Sequence, residues 1–467
     1  MSIFNSDFSL EEISSNLKDV KGEIYFIGIL GSGMYPLARL LKKRGYNVAG
    51  SDNGAKCEYY TDDIGITISR GKNTLWENIS LAVYSLAIDE GDDEILSARS
   101  LGIPLISRAQ LLGALMSEYR TGISVSGSHG KSTVTALIDY IFKTAGIAHT
   151  TVSGATLYDG RGFTDGGGDV FVAEACEYKD SFLRLRPTYQ IITAVELDHT
   201  DYFESLEDIR ASFLRAASGS HFAIINIDDK VACEIANELS KQKGGEALTR
   251  IITYGRSPCA DYRIVNVVYR GDKTEFGIAH GCSEVLFTTD LIGDFNLYNV
   301  AAAVALTDTL GVSQYDIQSA VSGFRAPERR LTEICRISDT PVYYDYAHHP
   351  SEISLVIDAL RERYGKVTVI FRPHTYSRTR SLWSDFISAL SKADFTILLD
   401  IYPAREKSID GVNSKALAEQ IKNCTYSTRA DAVPLAISRP TDVIVLMGAG
   451  EVEDVKRALL RLGNNSE

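Results

Sequence analysis

The sequence predicts an α/β protein of three domains, and three observations carry that prediction. An apolar stretch, Ile24-Tyr25-Phe26-Ile27, runs into a glycine-rich turn from Gly28 to Gly33 and then a helical pattern reaching Lys43. A second, Ile123-Ser124-Val125, runs into Ser126-Gly127-Ser128-His129-Gly130-Lys131-Ser132-Thr133 and a helical run from Thr135. From Val342 onward, short apolar strands alternate with helical patterns. Strand, loop and helix repeated in that order build parallel sheets covered by helices. The chain has 467 residues, and at about 150 residues per domain that length divides into three. The expected architecture is a Rossmann-like N-terminal domain over 1–120, a central P-loop ATPase-like domain with a mainly parallel sheet over 121–327, and a Rossmann-like C-terminal domain over 328–467.

Composition narrows the class. Hydrophobic residues at 45% and charged residues at 23% are those of an ordinary globular protein. A net charge of -13 argues against non-specific binding to nucleic acid or to an anionic membrane. Any anionic ligand must then be held by local basic clusters. The seven cysteines, Cys57, Cys176, Cys233, Cys259, Cys282, Cys335 and Cys424, form no C-x-x-C pair and read as reduced thiols rather than zinc ligands. Asp7, Glu11 and Glu12 interrupt any signal-peptide pattern, and no apolar run reaches the ~18 residues of a membrane span. A cytoplasmic protein with no nucleic-acid partner and no membrane insertion is expected, as a monomer or homodimer.

In the first domain the strand Asn47 to Ser51 ends at Asp52, about twenty residues beyond the glycine turn, where Rossmann-like folds set an acid against a ribose. The spacing G-x-x-G-x-G reverses the dinucleotide fingerprint, which leaves both a nicotinamide cofactor and a ligand-free tight turn open. Further strands at Leu81 to Ser85 and Pro104 to Ser107, with helices near Asp93 to Leu101 and Leu111 to Tyr119, complete the unit.

The second domain opens on a triphosphate loop. Gly127 and Gly130 let successive amides point at phosphate oxygens, Lys131 supplies a point charge, the Ser132 or Thr133 hydroxyl is suited to Mg2+, and the helix start adds its positive dipole end. The apolar strand Asp169 to Glu177 carries Glu174, where a second Mg2+ contact is expected. After the strand Gln190 to Val195 comes His199, suited to a metal or a phosphate, or else a surface or capping residue. Phe222 to Asn226 is another strand, and hairpins are expected between Tyr262 and Thr289. Asn296 and Asn299 precede an Ala-rich helix from Val300; they read as adenine contacts or as helix caps. Arg329-Arg330 either counter triphosphate charge or are solvent-exposed.

The third domain gathers polar residues at its strand ends: Asp345 with His348-His349, Arg372 with His374, Arg378 and Arg380, and Tyr402 to Glu406. Ligands of open α/β sheets bind outside those ends, although residues there also serve as helix N-terminal polar groups.

Taken in order, these segments resemble the Mur ligase family of peptidoglycan synthesis, most closely its alanine-adding branch, over nearly the whole chain. The matching pieces are Gly-Ser-His-Gly-Lys-Ser-Thr at 127–133, Glu-Ala-Cys-Glu at 174–177, Asp198-His199-Thr200-Asp201-Tyr202, Asp345-Tyr346-Ala347-His348-His349-Pro350, Pro373-His374-Thr375-Tyr376-Ser377-Arg378-Thr379-Arg380, and Ile401-Tyr402-Pro403-Ala404. The resemblance implies ATP-dependent amide ligation with ATP and Mg2+. The lactyl carboxylate of UDP-N-acetylmuramic acid is phosphorylated, and the amine of L-alanine attacks the acyl phosphate. By the same resemblance, Gly28, Gly31, Ser32, Gly33, Asp52 and Ser85 hold the UDP-sugar. Gly127 to Thr133, including Ser128 and His129, with Asn296, Asn299, Arg330 and Asp345, hold ATP. Ser132, Glu174 and His199 hold the metal; His348, His374, Arg378 and Arg380 hold the amino acid. Lys131, Glu174, His199, His348 and Arg378 are the expected catalytic set. Ala194, Phe295 and Arg405 stand where the family commonly has Asn, His and Gly, and Leu30 and Tyr35 replace smaller or polar residues. No lysine matches the carbamylated lysine of other Mur ligases. A different amine, including a recycled tripeptide, and a non-catalytic nucleotide-sugar-binding protein are the alternatives.

Overall fold

The computed structural model describes residues 9–54, 59–71, 78–158, 160–199, 202–241, 249–404, 406–450 and 452–464. Asp7, Cys57, the Thr200-Asp201 pair and Arg405 lie outside them. Packing divides the chain into two units. One comprises Met1–Val267, Glu275–Thr288 and Tyr298–Phe324; the other comprises Val268–Thr274, Thr289–Leu297 and Arg325–Glu467.

The first unit begins with a helix, Leu10–Lys18, ahead of the first strand that the sequence predicts. Its start carries a capping box in which Ser9 and Glu12 bond each other's backbone amides, and Leu10, Ile13 and Leu17 supply its buried stripe. A six-stranded sheet follows, in the order Tyr59–Thr61, Thr67–Arg70, Asn47–Asp52, Glu23–Ile27, Ile79–Tyr84, Leu105–Ser107. Only the first of these runs antiparallel to its neighbour. The ten-stranded sheet runs Ser283–Thr289, Lys273–His280, Tyr262–Arg270, Arg250–Gly255, Phe222–Asn226, Tyr189–Ile192, Thr121–Ser126, Val170–Glu174, His149–Val152, Phe163–Asp165. Thr121–Ser126 lies between Val170–Glu174 and Tyr189–Ile192, parallel to both. Register sets Glu174 level with Val125 and Ile192 level with Ser126, so three carboxyl ends form one ledge. That ledge is where open α/β sheets hold ligands.

The second unit holds a six-stranded sheet ordered Thr332–Ile337, Thr340–Asp345, Val443–Met447, Val367–Phe371, Phe395–Leu398, Cys424–Tyr426, antiparallel only at its first pair. Three boundaries differ from the sequence reading in ways that matter for the site. The strand after Asp169 stops at Glu174 and the strand from Tyr189 stops at Ile192, which frees the segments that carry Glu177 and His199. The helix expected from Val300 begins at Asp294. Asn296 and Asn299 therefore lie inside it, and the capping alternative falls away.

Candidate active site

The phosphate loop is built on close approach. Gly127 has φ +136°, and a Cβ there would sit 2.0 Å from Thr193 Oγ1; Gly130 has φ +83°, and its Cβ would sit 2.4 Å from Asn299 Oδ1. Only glycine fits either place. Helix Lys131–Thr144 starts directly at Gly130. Ser128 N donates to Ala194 O at 2.8 Å, and Thr193 N donates to Ser126 O at 3.1 Å, so the next strand end braces the loop. His129 Nε2 lies 3.1 Å from Glu196 Oε2.

Two carboxylates meet this loop in different ways. Ser132 Oγ donates to Glu174 Oε1 at 3.0 Å, and Glu174 Oε2 accepts from Ser153 Oγ at 3.1 Å and Gly154 N at 2.9 Å. Lys131 Nζ instead reaches Glu177, at 3.2 and 3.1 Å from its two oxygens, with the carbonyls of Gly127 and Ser128 as further acceptors. His199 Nε2 stands 3.7 Å from the same Glu177 carboxylate. Burial alone would drive Glu177 up, yet Lys131 and then His199 hold it below the ordinary carboxylate value. Burial likewise pulls Lys131 down, but Glu177, Cys176 and Glu174 keep its ammonium above the usual lysine value.

In the first domain the glycine loop spends its amides on the protein. Gly28 N and Ile29 N both donate to Ser51 O at 2.9 Å, Leu30 N to Asp52 Oδ2 at 3.0 Å, and Gly31 N to Gly28 O at 3.1 Å. Asp52 Oδ1 also accepts from Gly54 N at 2.8 Å. Asp52 thus braces the loop from within. Ser85 closes the neighbouring turn by accepting from Ala87 N at 3.3 Å, and Ile88 of that turn packs on Gly28. Ser32 is exposed. Against Gly33 lies a cation that sequence reading missed: a Cβ there would come within 2.8 Å of Arg108 Nη1. Its position, directly after the strand Leu105–Ser107, is the signal that would have found it.

The second unit carries the Arg-His cluster. The His348 and His374 rings are 6.1 Å apart, and Arg378 Nη1 approaches His374 Nδ1 at 3.4 Å. Burial, then His348 and Arg378, push His374 down to about 4, so it is neutral near pH 7. His348 Nδ1 lies 3.2 Å from Tyr346 O and 3.3 Å from Glu352 Oε2. Arg372 stacks over Tyr402 at 4.9 Å. Asp345 is buried and accepts from Leu331 N and Ala347 N, each at 2.6 Å. Burial pushes its carboxyl up to about 6 against the pull of Arg330. Both Arg329 and Arg330 lie over the Tyr346 ring, at 4.5 and 5.3 Å, so the solvent-exposed alternative for them does not hold.

Three family descriptions match along the chain: "Mur ligase family, catalytic domain" over residues 23–120, "Mur ligase middle domain" over 125–307 and "Mur ligase, glutamate ligase domain" over 329–450. The chain belongs to the Mur ligase family. This ligase is 34% identical over 454 residues to the UDP-N-acetylmuramate–L-alanine ligase of Caldicellulosiruptor bescii, covering 94% of this chain and 98% of that one. It is 36% identical over 462 residues to the protein of the same name from Thermobifida fusca, covering 94% and 96%. Among solved structures it is similar in fold to the UDP-N-acetylmuramate-alanine ligase of Thermotoga maritima, with TM-score 0.78, 22% identity and coverage of 96% and 100%. A Thermotoga maritima MurF ligase solved in complex with ADP has TM-score 0.60 at 16% identity, covering 84% and 90%. The chain is an ATP-dependent, amide-forming ligase.

Within the ligase, the expected residues separate into sets. Of the two hydroxyls, both buried, it is that of Ser132 that meets a carboxylate, Glu174. The expected trio of Ser132, Glu174 and His199 divides: Ser132 and Glu174 pair, while His199 belongs to Glu177, an acid that sequence reading quoted but gave no role. Ser132 Oγ and Glu174 Oε1 fit a hard cation. A hydroxyl and a carboxylate oxygen are the oxygen donors such a cation takes, and the two stand 3.0 Å apart. Asn299 overhangs Gly130, whereas Asn296 Nδ2 donates to Ile292 O at 2.8 Å. Arg378 turns toward His374, but Arg380, two residues on in helix Tyr376–Ser381, is exposed. Residues two apart on a helix do not share a face.

Proposed function

We propose that this ligase joins L-alanine to the lactyl carboxylate of UDP-N-acetylmuramic acid through an acyl phosphate, the first stem-peptide step of peptidoglycan synthesis, in the cytoplasm. The observation that carries this reading is the pairing of Lys131 with a buried carboxylate on the phosphate-loop ledge. A lysine so held exchanges Glu177 for phosphate oxygens when nucleotide enters, without reorganising the loop. Phosphorylation turns a carboxylate oxygen into a leaving group, and Lys131 offsets charge on the transferred phosphoryl. Ser132 and Glu174 would hold Mg2+, with Glu177 and His199 close by; the ion supplies neutralisation of phosphate charge. Asn299, Arg330 and Asp345 serve the nucleotide in this reading. Gly28 to Gly33, Asp52 and Arg108 serve the UDP-sugar.

In the second unit Arg378 pairs with the alanine carboxylate, and His374, neutral near pH 7, stands beside it without adding a second positive charge near the incoming amine. Divisions near 120 and 327 separate the three pieces that do this work. No described helix is long and apolar enough to cross a membrane. The test is phosphate release with UDP-N-acetylmuramate, ATP and Mg2+, offering L-alanine, glycine, L-serine or tripeptide in turn. Release with L-alanine is expected. Dependence on tripeptide would move the reading to recycling, and no release with any amine would overturn it.

A further inference from the structure

Three non-glycine residues around the Glu177–His199 pair adopt left-handed backbone. Lys179 has φ 50°, Asp180 φ 56° and His199 φ 53°. Such conformations are disfavoured for L-residues and persist only where surrounding contacts over-determine them. Asp180 supplies those contacts. Its N–H donates to Glu177 O at 3.0 Å, which closes the turn that follows the acid. Its Oδ2 accepts from Tyr202 Oη at 2.9 Å and from Arg215 Nη2 at 3.0 Å, and its Oδ1 accepts from Ser212 Oγ. Tyr202 N and Phe203 N in turn donate to His199 O at 2.8 and 3.0 Å. Tyr178, beside Glu177, packs its ring 4.8 Å from that of His199. One carboxylate therefore joins the segment behind Glu177, the segment behind His199 and the helix Leu206–Ser218.

We propose that Asp180 is a positioning residue that locks the Glu177 and His199 segments in one register, and so sets the metal and phosphate end of the nucleotide site. This rests on the reading that Glu177 and His199 serve that end. The test compares wild type, Asp180→Ala, Asp180→Asn and Tyr202→Phe in the full chain. Mn2+ binding with ADP is followed by electron paramagnetic resonance, and phosphate release is followed across Mg2+ concentrations. Outer-shell partners typically set metal affinity by about 10–100-fold, so Asp180→Ala is expected to weaken Mn2+–ADP binding and raise the Mg2+ midpoint by about ten-fold or more. KM for UDP-N-acetylmuramate should stay within about two-fold. Asp180→Asn keeps an acceptor oxygen and should recover part of the loss; Tyr202→Phe removes one arm and should shift the same constants less. A folded Asp180→Ala protein whose Mn2+–ADP affinity stays within about two-fold of wild type overturns the proposal, as does an equal rise in every constant. Should the ligase reading fail, wild type releases no phosphate, yet Mn2+–ADP binding still reports on Asp180.

Discussion

Replacing Glu177 with Gln removes the charge that faces Lys131. The two side chains are 2% and 16% exposed. Removing one partner of a buried pair typically costs ~3–5 kcal/mol. Here the carbonyls of Gly127 and Ser128 remain and Gln keeps one acceptor oxygen, so the expected loss is about 2–3 kcal/mol. Urea unfolding at pH 7 with and without Mg2+–ADP measures it. In the proposed exchange phosphate takes over as the partner of Lys131, so ligand should narrow the gap between variant and wild type by roughly 1 kcal/mol or more. Metal-free ADP should bind the variant at least as tightly as wild type. Glu177 is held below the ordinary 4.5, so its contribution is present above that pH and lost as pH falls through the lower folded value. Glu177→Gln should lack this acid limb. A variant within about 0.5 kcal/mol of wild type without ligand, or one whose gap ADP does not narrow, refutes the exchange of carboxylate for phosphate.

Other outcomes follow from the same geometry. Asp345, raised from 3.8 to about 6, keeps a proton in the fold that the unfolded chain has released, so stability falls as pH rises from about 4 to about 6. That slope is worth roughly 3 kcal/mol; Asp345→Asn should abolish it in unfolding curves, at a lower baseline because an amide nitrogen then faces Leu331 N or Ala347 N. Gly130→Ala, with φ +83° and Asn299 Oδ1 in the way, should weaken ADP binding by about 1–3 kcal/mol in calorimetry. Arg378→Lys removes the fork that the proposed pairing with the alanine carboxylate uses and should raise KM for L-alanine about ten-fold while KM for the nucleotide sugar holds.

Local chemistry was legible wherever neighbours in the chain make the feature. The phosphate loop is one, because Gly127, Gly130 and Lys131 act through a turn only a few residues long. Alternation of apolar strands with helices was another, and it foretold three mainly parallel sheets. Helix Leu10–Lys18 is not among the elements read from the sequence, although Ser9 and Glu12 spell its capping box, because its apolar stripe is only three residues, Leu10, Ile13 and Leu17. The start of the helix carrying Asn296 and Asn299 was not readable: Asp294 to Tyr298 lack the Ala-rich pattern that marks the rest.

Partners chosen across the fold had to await the tertiary structure. Sequence alone shows two acids three residues apart, Glu174 and Glu177, and cannot say which meets Lys131. That choice depends on sheet register, which sets Glu174 level with Val125 and lets the turn beyond it carry Glu177 back to the lysine. Arg108 and Asp180 come into play through packing of segments distant in the chain, as do the inward-turned amides of the glycine loop. Residue types and their order determined the family, the ligase chemistry and the phosphate loop. Three-dimensional packing decided how charge is shared around Lys131, because a buried ion's partner is fixed by distance and dielectric rather than by position in the chain.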